Sequence, residues 1–181
     1  PEPLLSNCNQ SARVLRGKFF YLTRFSIFVS NIKEITFIPI FMIFPPNLTL
    51  DILNNMGKGS MTDFLDIKFT IIGEDYLEAT MPVDSRTKQP LGLLHGGANV
   101  VLAETLGSVA ASCTVDNEKQ YCVGLEINAN HLKSVKDGFV RGVTKPIHIG
   151  KKTQVWEIKI YTELGELSCI SRITMAVIDK K

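Results

Sequence analysis

The spacing of polar and apolar residues changes several times along the chain, and each change marks an element. From Gln154 to Tyr161 the two kinds alternate one by one, the two-residue period of a strand with one wet face. Strands are likewise predicted over 121–130, 139–145 and 167–178, with Gly165 turning the chain between the last two. Two more, over 66–72 and 76–83, flank Gly73-Glu-Asp, a hairpin signal. Leu48 to Asn55 reads as a short helix that Thr49 can cap and Gly57 and Gly59 can end; Met61 to Leu65 reads as a further helical turn. Residues 84–94, with Pro90 and Gly92, form a loop. From His95 to about Thr114 the chain reads as one long helix, apolar on nearly every side.

One long helix beside five or six antiparallel strands is an α+β arrangement, with a curved sheet wrapped around a central helix. A sheet cannot cover a whole cylinder, so a second copy of the chain is expected to cover the remainder.

Residues 1–44 differ in kind from the domain expected over 45–181. They are rich in Phe and Ile, and five basic side chains face two acidic ones. The longest uncharged run, Ile35 to Leu50, is interrupted by Pro39, Pro45 and Pro46 and is shorter than the roughly 18–20 residues of a membrane span. The expectation is an extension of doubtful status: upstream translation or a poorly specified segment before a start near Met42, with a membrane-surface anchor as the alternative. Residues 45–181 carry fifteen basic and sixteen acidic side chains, which leaves no broad basic face for nucleic acid. Cys8, Cys113, Cys122 and Cys169 form no C-x-x-C pair, which suits free thiols in a reducing cytoplasm. His95, His131 and His148 lack metal-ligand spacing, so neither a metal nor another cofactor is expected.

The candidate chemistry lies in Gln89-Pro-Leu-Gly-Leu-Leu-His-Gly-Gly-Ala-Asn-Val-Val-Leu-Ala-Glu104. Glu104 is a lone charge among Val100, Val101, Leu102, Ala103, Leu106 and Val109, expensive to bury without a partner or a task. Gly96 and Gly97 let a ligand approach the bare N–H groups of a helix start, where the dipole favours developing negative charge. Eight residues of helix separate Gly96 from Glu104, about 12 Å along the axis. One reacting carbonyl cannot touch both, so two copies with antiparallel helices would have to share each site.

Three motifs carry a resemblance: Pro90 to Glu104, Val123-Gly-Leu-Glu-Ile-Asn-Ala-Asn-His131, and Val143-Thr-Lys-Pro-Ile-His-Ile-Gly150. In that order, over about residues 48–178, they resemble the hotdog-fold acyl-CoA thioesterases. The branch most similar is that of the 1,4-dihydroxy-2-naphthoyl-CoA hydrolases and the related 4-hydroxybenzoyl-CoA thioesterases. The resemblance implies a hotdog fold, metal-free thioester cleavage and assembly as a homodimer or dimer of dimers. It implies Glu104 as nucleophile or general base, and the Gly96 N–H at the thioester oxygen. Gln89 would orient thioester or water, His95 would support that corner, and Ser108 would help hold the water or the acyl ring. Gly124, His131, Lys133, Ser134 and the turn from His148 through Gly150 to Lys151 and Lys152 would border pantetheine and nucleotide. Arg141, Lys145 and Arg172 are further cations available to phosphate.

The implied substrate is 1,4-dihydroxy-2-naphthoyl-CoA, in menaquinone or phylloquinone synthesis. Other aromatic or medium-chain acyl-CoAs, or aryl groups on a carrier protein, share the motif and are the first rivals. An acyl-thioester dehydratase or hydratase and a non-catalytic acyl-CoA binder are rivals of other classes. Mass analysis of the native N-terminus should find a start near Met42; a mature chain beginning before residue 30 would contradict that expectation.

Overall fold

The computed structural model describes residues 13–15, 18–28 and 36–181. β1 (Arg13–Leu15), β2 (Lys18–Phe28) and β3 (Thr36–Met42) pair antiparallel in a three-stranded sheet of their own. The periodicity predicts no element there, because runs such as Phe19-Phe-Tyr-Leu are continuously apolar and show no alternation. Residues 1–12, 16–17 and 29–35 lie outside the described residues, and the expectation for an extension over 1–44 falls partly on them.

The remaining elements follow the predicted order. Thr49 caps α1 (Leu50–Met56), its hydroxyl accepting from the Ile52 N–H at 3.2 Å, and Gly57 ends it. Ser60 caps α2 (Met61–Phe64). β4 (Lys68–Ile72) and β5 (Leu77–Pro82) form the hairpin, closed by the Gly73 N–H donating to the Tyr76 carbonyl. α3 (Gly96–Ser112) is the long helix. β6 (Gln120–His131), β7 (Phe139–Ile149), β8 (Thr153–Thr162) and β9 (Leu167–Asp179) complete a six-stranded antiparallel sheet ordered β4-β5-β7-β8-β9-β6. This is the hotdog arrangement, with α3 laid against β5, β7, β8, β9 and β6. Among the described residues no helix is long and apolar enough to cross a membrane.

One strand runs well beyond its predicted end. β7 continues beyond Lys145 through Pro146, and a register shift between Pro146 and His148 absorbs the missing N–H. His148 therefore lies on a strand, not in the expected turn, which shrinks to Gly150, Lys151 and Lys152.

The core forms between helix and sheet. Leu102, Ala103, Leu106 and Ala110 of α3 are fully buried, as are Met81, Val140, Trp156, Ile158, Ile160, Ile173 and Met175 of the sheet. Small residues set the distance between the layers. A methyl group on Gly107 would come within 2.4 Å of Ile173 Cγ2, and one on Gly142 within 2.4 Å of Leu106 Cδ1. Trp156 donates to Gln154 Oε1, Gln154 donates to Thr114 Oγ1, and Thr114 donates to the Ala111 carbonyl at the end of α3. Phe44 is also fully buried and the Ile43 N–H bonds to the Glu74 carbonyl, so the packed domain takes in two residues upstream of the boundary expected at 45.

The sheet covers only part of α3. Val100, Val101, Glu104, Thr105, Ser108 and Val109 remain half-exposed, and Tyr121, Val123 and Leu125 stand exposed on the edge strand β6. The expectation of a buried Glu104 is corrected for the single chain, because its face of the helix is the uncovered one.

Asn54 of α1 seals the opposite edge. Its Oδ1 accepts from the Phe69 N–H at 2.8 Å and its Nδ2 donates to the Phe69 carbonyl at 3.1 Å, beside the bulge in β4. Asn54→Ala strips both partners from a part-buried peptide group. It should lower stability by about 1–3 kcal/mol, read as a lower urea midpoint at unchanged slope.

Candidate active site

A rigid loop carries Gln89 to the mouth of α3. Asp84 accepts from the Arg86 Nε and NH2 groups, and Arg86 NH1 reaches the Phe64 carbonyl, tying the loop to α2. Hydrogen bonds from Arg86 hold the Asp84 carboxyl below its ordinary range. Buried Thr87 bonds the Pro82 carbonyl, and Gly92, at φ 79°, closes a turn back onto the Gln89 carbonyl. Gln89 Oε1 accepts from the Leu91 N–H at 2.6 Å, which fixes the amide's orientation and leaves Nε2 as a donor with no partner among the described residues.

The helix start is built from two imidazoles and two glycines. His95 is the N-cap: its Nδ1 accepts from the Gly97 N–H at 2.8 Å, so its ring proton sits on Nε2. The His95 N–H is held by the Thr87 carbonyl, and the Leu94 N–H by Val135. His131, at the end of β6, lies over Gly96, where an added methyl would come within 2.8 Å of its Nε2. At Gly97 an added methyl would come within 3.0 Å of His95 Nδ1. Each glycine thus makes room for one ring, a reason for the pair that the sequence alone does not supply. The Gly96 N–H bonds to no other group among the described residues. Gly96 lines a cavity of about 330 Å³ together with Gln89, Asn99, His131, Lys133, Ser134 and apolar side chains.

Glu104 belongs to a second cluster, outside that lining. Its Oε1 lies 3.5 Å from Ser108 Oγ, one turn further along the helix, and its carboxylate rests on Gly124 of β6. The β6–β9 register shifts between Gly124 and Glu126, so a bulge sits beside the carboxylate. Gln89, Leu93, Leu94, Gly96, Asn99 and His131 of the chain's motifs thus fall around the cavity, and the acid with its hydroxyl neighbour falls elsewhere on the same helix.

Of the residues expected to border pantetheine and nucleotide, His131, Lys133 and Ser134 line the cavity and Gly124 meets Glu104, while the remainder gather with neither cluster. His148, Gly150, Lys151 and Lys152 lie at the β7–β8 hairpin and Arg172 lies on β9; none of them lines the cavity. Several of the available cations are already paired: Lys133 with Glu166, Arg141 with Glu78, Lys145 with Asp75 and Lys152 with Asp179. Lys151 and Arg172 form no ion pair among the described residues. Asn99 lines the cavity although no role is predicted for it. The available signal was an amide in the second turn of an otherwise apolar helix.

Known proteins share this fold. The Thioesterase superfamily pattern matches residues 91–169. The chain is similar to the 1,4-dihydroxy-2-naphthoyl-CoA hydrolase of Escherichia coli (strain K12): 60% identity over 137 residues, 76% of this chain and 100% of that protein. It is 50% identical to the proofreading thioesterase EntH of Cronobacter sakazakii, over 76% of this chain and 99% of that one. A crystal structure of a mutant thioesterase from Pseudomonas aeruginosa superposes with TM-score 0.75 at 48% identity, covering 76% of this chain and 99% of that chain.

A methyl group on Gly124 would come within 2.6 Å of Glu104 Oε1, the far end of a flexible side chain. Gly124→Ala should therefore displace the carboxylate at little cost in stability. Thioester hydrolysis should fall by about 10²-fold while the urea midpoint holds, a split that steady-state kinetics and equilibrium unfolding together resolve.

Proposed function

The chain belongs to the thioesterase superfamily and is a thioester hydrolase, and from that premise we propose that it cleaves an aromatic acyl-CoA at sites shared between two antiparallel copies. The leading substrate is 1,4-dihydroxy-2-naphthoyl-CoA, the compound named for its 60%-identical relative, which would place the reaction in menaquinone or phylloquinone synthesis. One observation carries the reading. Gly96, its N–H unpaired, and Gln89, its amide nitrogen free, line one cavity, while Glu104 lies outside it, eight residues along the same helix.

The chemistry needs donors and acid on opposite sides of one carbonyl. Attack on a thioester builds negative charge on its oxygen, and fixed donors at a helix start stabilise that charge without reorganising. Glu104 of the second copy either takes a proton from water, whose hydroxide adds to the carbon, or adds to it directly and yields an anhydride that water opens. Both routes consume one water, break the C–S bond and release free acid and the CoA thiol. Ser108 supports the carboxylate or the water, and His95 locks the donor corner by capping α3. The half-exposed face of α3 and the twelve-residue edge strand β6 supply the self-complementary surface that a two-fold dimer uses. The hairpin lysine Lys151, with Lys152, and Arg172 are the cations proposed for the nucleotide phosphates, with Gly97, His131, Lys133 and Ser134 bordering the pantetheine arm. Free Cys113, Cys122 and Cys169 support a cytoplasmic setting; burial pushes the Cys113 thiol up to about 11, with Cys122 adding to it.

The chemistry is tested with a panel of acyl-CoAs that includes the naphthoyl ester, scored by release of CoA thiol. The naphthoyl ester should head the panel, and Glu104→Gln should remove nearly all turnover while sparing binding. Turnover of the panel without thiol release would overturn hydrolysis. The shared site has its own test. Glu104→Gln and Gln89→Ala, each inactive alone, should regain about one quarter of wild-type activity when equal amounts are unfolded and refolded together. Half of the dimers are then mixed, and each mixed dimer keeps one of its two sites whole. No recovery in verified mixed dimers would overturn the sharing.

A further inference from the structure

The donor corner contains one group that the hydrolase reading leaves unused. Asn99 is 4% exposed, three residues past Gly96 and so on the same face of α3. Its Nδ2 lies 3.4 Å from His131 Nδ1. An amide NH₂ can only donate, so Nδ1 accepts and the ring proton is placed on Nε2. Nε2 is the ring atom nearest the place a Cβ on Gly96 would take, and the Gly96 N–H is unpaired among the described residues. Gly96 and His131 line one cavity together with Gln89 and Asn99. The other end of the Asn99 amide, Oδ1, is buried without a partner. An unpaired buried carbonyl is a standing cost that Ala at this position would not carry, and such a cost marks a residue with a task at its other end.

We propose that Asn99 is a positioning residue that holds His131 in its Nε2–H form, and that His131 is a second donor to the thioester oxygen beside the Gly96 N–H. This rests on the hydrolase reading and moves His131 from the border of the pantetheine to the reacting carbonyl. Charge develops on that oxygen only as the bond is attacked, so the donor acts on kcat and leaves KM nearly unchanged. A contact to the pantetheine arm would do the reverse.

Two measurements on the full chain test it. The ¹⁵N resonances of the His131 ring in the resting protein should show the proton on Nε2, and Asn99→Ala should shift them; a proton on Nδ1 in the wild type overturns the positioning role whatever the activity. In kinetics on the best acyl-CoA of the panel, His131→Asn, which lacks an atom at the Nε2 place, should lower kcat by about 10²-fold. His131→Gln, whose amide nitrogen reaches that place, should recover most of the loss. Asn99→Ala should lower kcat by about tenfold, and combining it with His131→Asn should add nothing further. Unchanged urea midpoints in these variants separate the effect from unfolding. An active wild type whose His131→Asn variant keeps its kcat, or loses only in KM, overturns this inference alone. A wild type inert towards every acyl-CoA overturns the hydrolase reading and the donor role together.

Discussion

α3 has more apolar surface than one sheet can enclose, and most of the structure follows from that mismatch. The sheet must curl to reach β5 on one side of the helix and β6 on the other, and the small residues Gly107 and Gly142 let it press close where the two layers meet. What the sheet covers only in part is a strip of half-exposed Val100, Val101, Thr105 and Val109, with Glu104 and Ser108 among them. A strip of this kind is costly on an isolated chain and useful between two. Placing a carboxylate within it makes the acid's surroundings depend on assembly, because the strip is where a second copy would close.

The same helix serves two purposes that cannot be met at one point. Its first turn offers the unpaired Gly96 N–H and the positive end of a dipole, which suits a developing oxyanion. Its middle offers a stiff platform for a carboxylate. A rigid helix keeps the two about 12 Å apart, and the cavity lining respects the separation: it takes in Gln89, Gly96 and Asn99 and leaves Glu104 out. Pairing two helices head to tail is the simple way to bring one copy's acid to the other's donors, and it makes two sites by symmetry.

Most of the fold was legible because each element of the domain announced itself by period or punctuation. The alternation from Gln154 to Tyr161 became β8, Thr49 and Gly57 bracketed α1, and Gly73 turned the hairpin. The reading failed where a local rule was overridden. Pro146 argued against a strand, yet β7 passes through it by way of a bulge. The Phe-rich stretches before residue 44 showed no alternation, yet pair as β1, β2 and β3. At the site, the residue types were readable and their company was not. Gly96 and Gly97 looked like room for a ligand; the structure shows that they also make room for the rings of His131 and His95. Those rings come from opposite directions, one from the adjacent cap and one from a strand 35 residues downstream, and no sequence spacing records that meeting.

The two imidazoles differ in how they are held, and that difference explains a division of labour. His95 spends its Nδ1 on the Gly97 N–H, so it caps the helix and leaves the Gly96 N–H bare. In the proposed tautomer His131 spends its Nδ1 on Asn99, which leaves its ring proton on the nitrogen nearest the same glycine. One ring prepares the backbone donor by satisfying its neighbour, and the other stands beside that donor with a hydrogen of its own. Gln89, its oxygen committed to the Leu91 N–H, adds an amide whose free end can only donate. Gln89 and His95 thus each have an acceptor occupied and a donor left over. Such a corner is built for an oxygen that gains negative charge and discriminates weakly among the groups attached to that carbonyl. Choice among acyl groups must therefore come from the walls beyond it, from apolar residues such as Leu93, Leu132 and Val135.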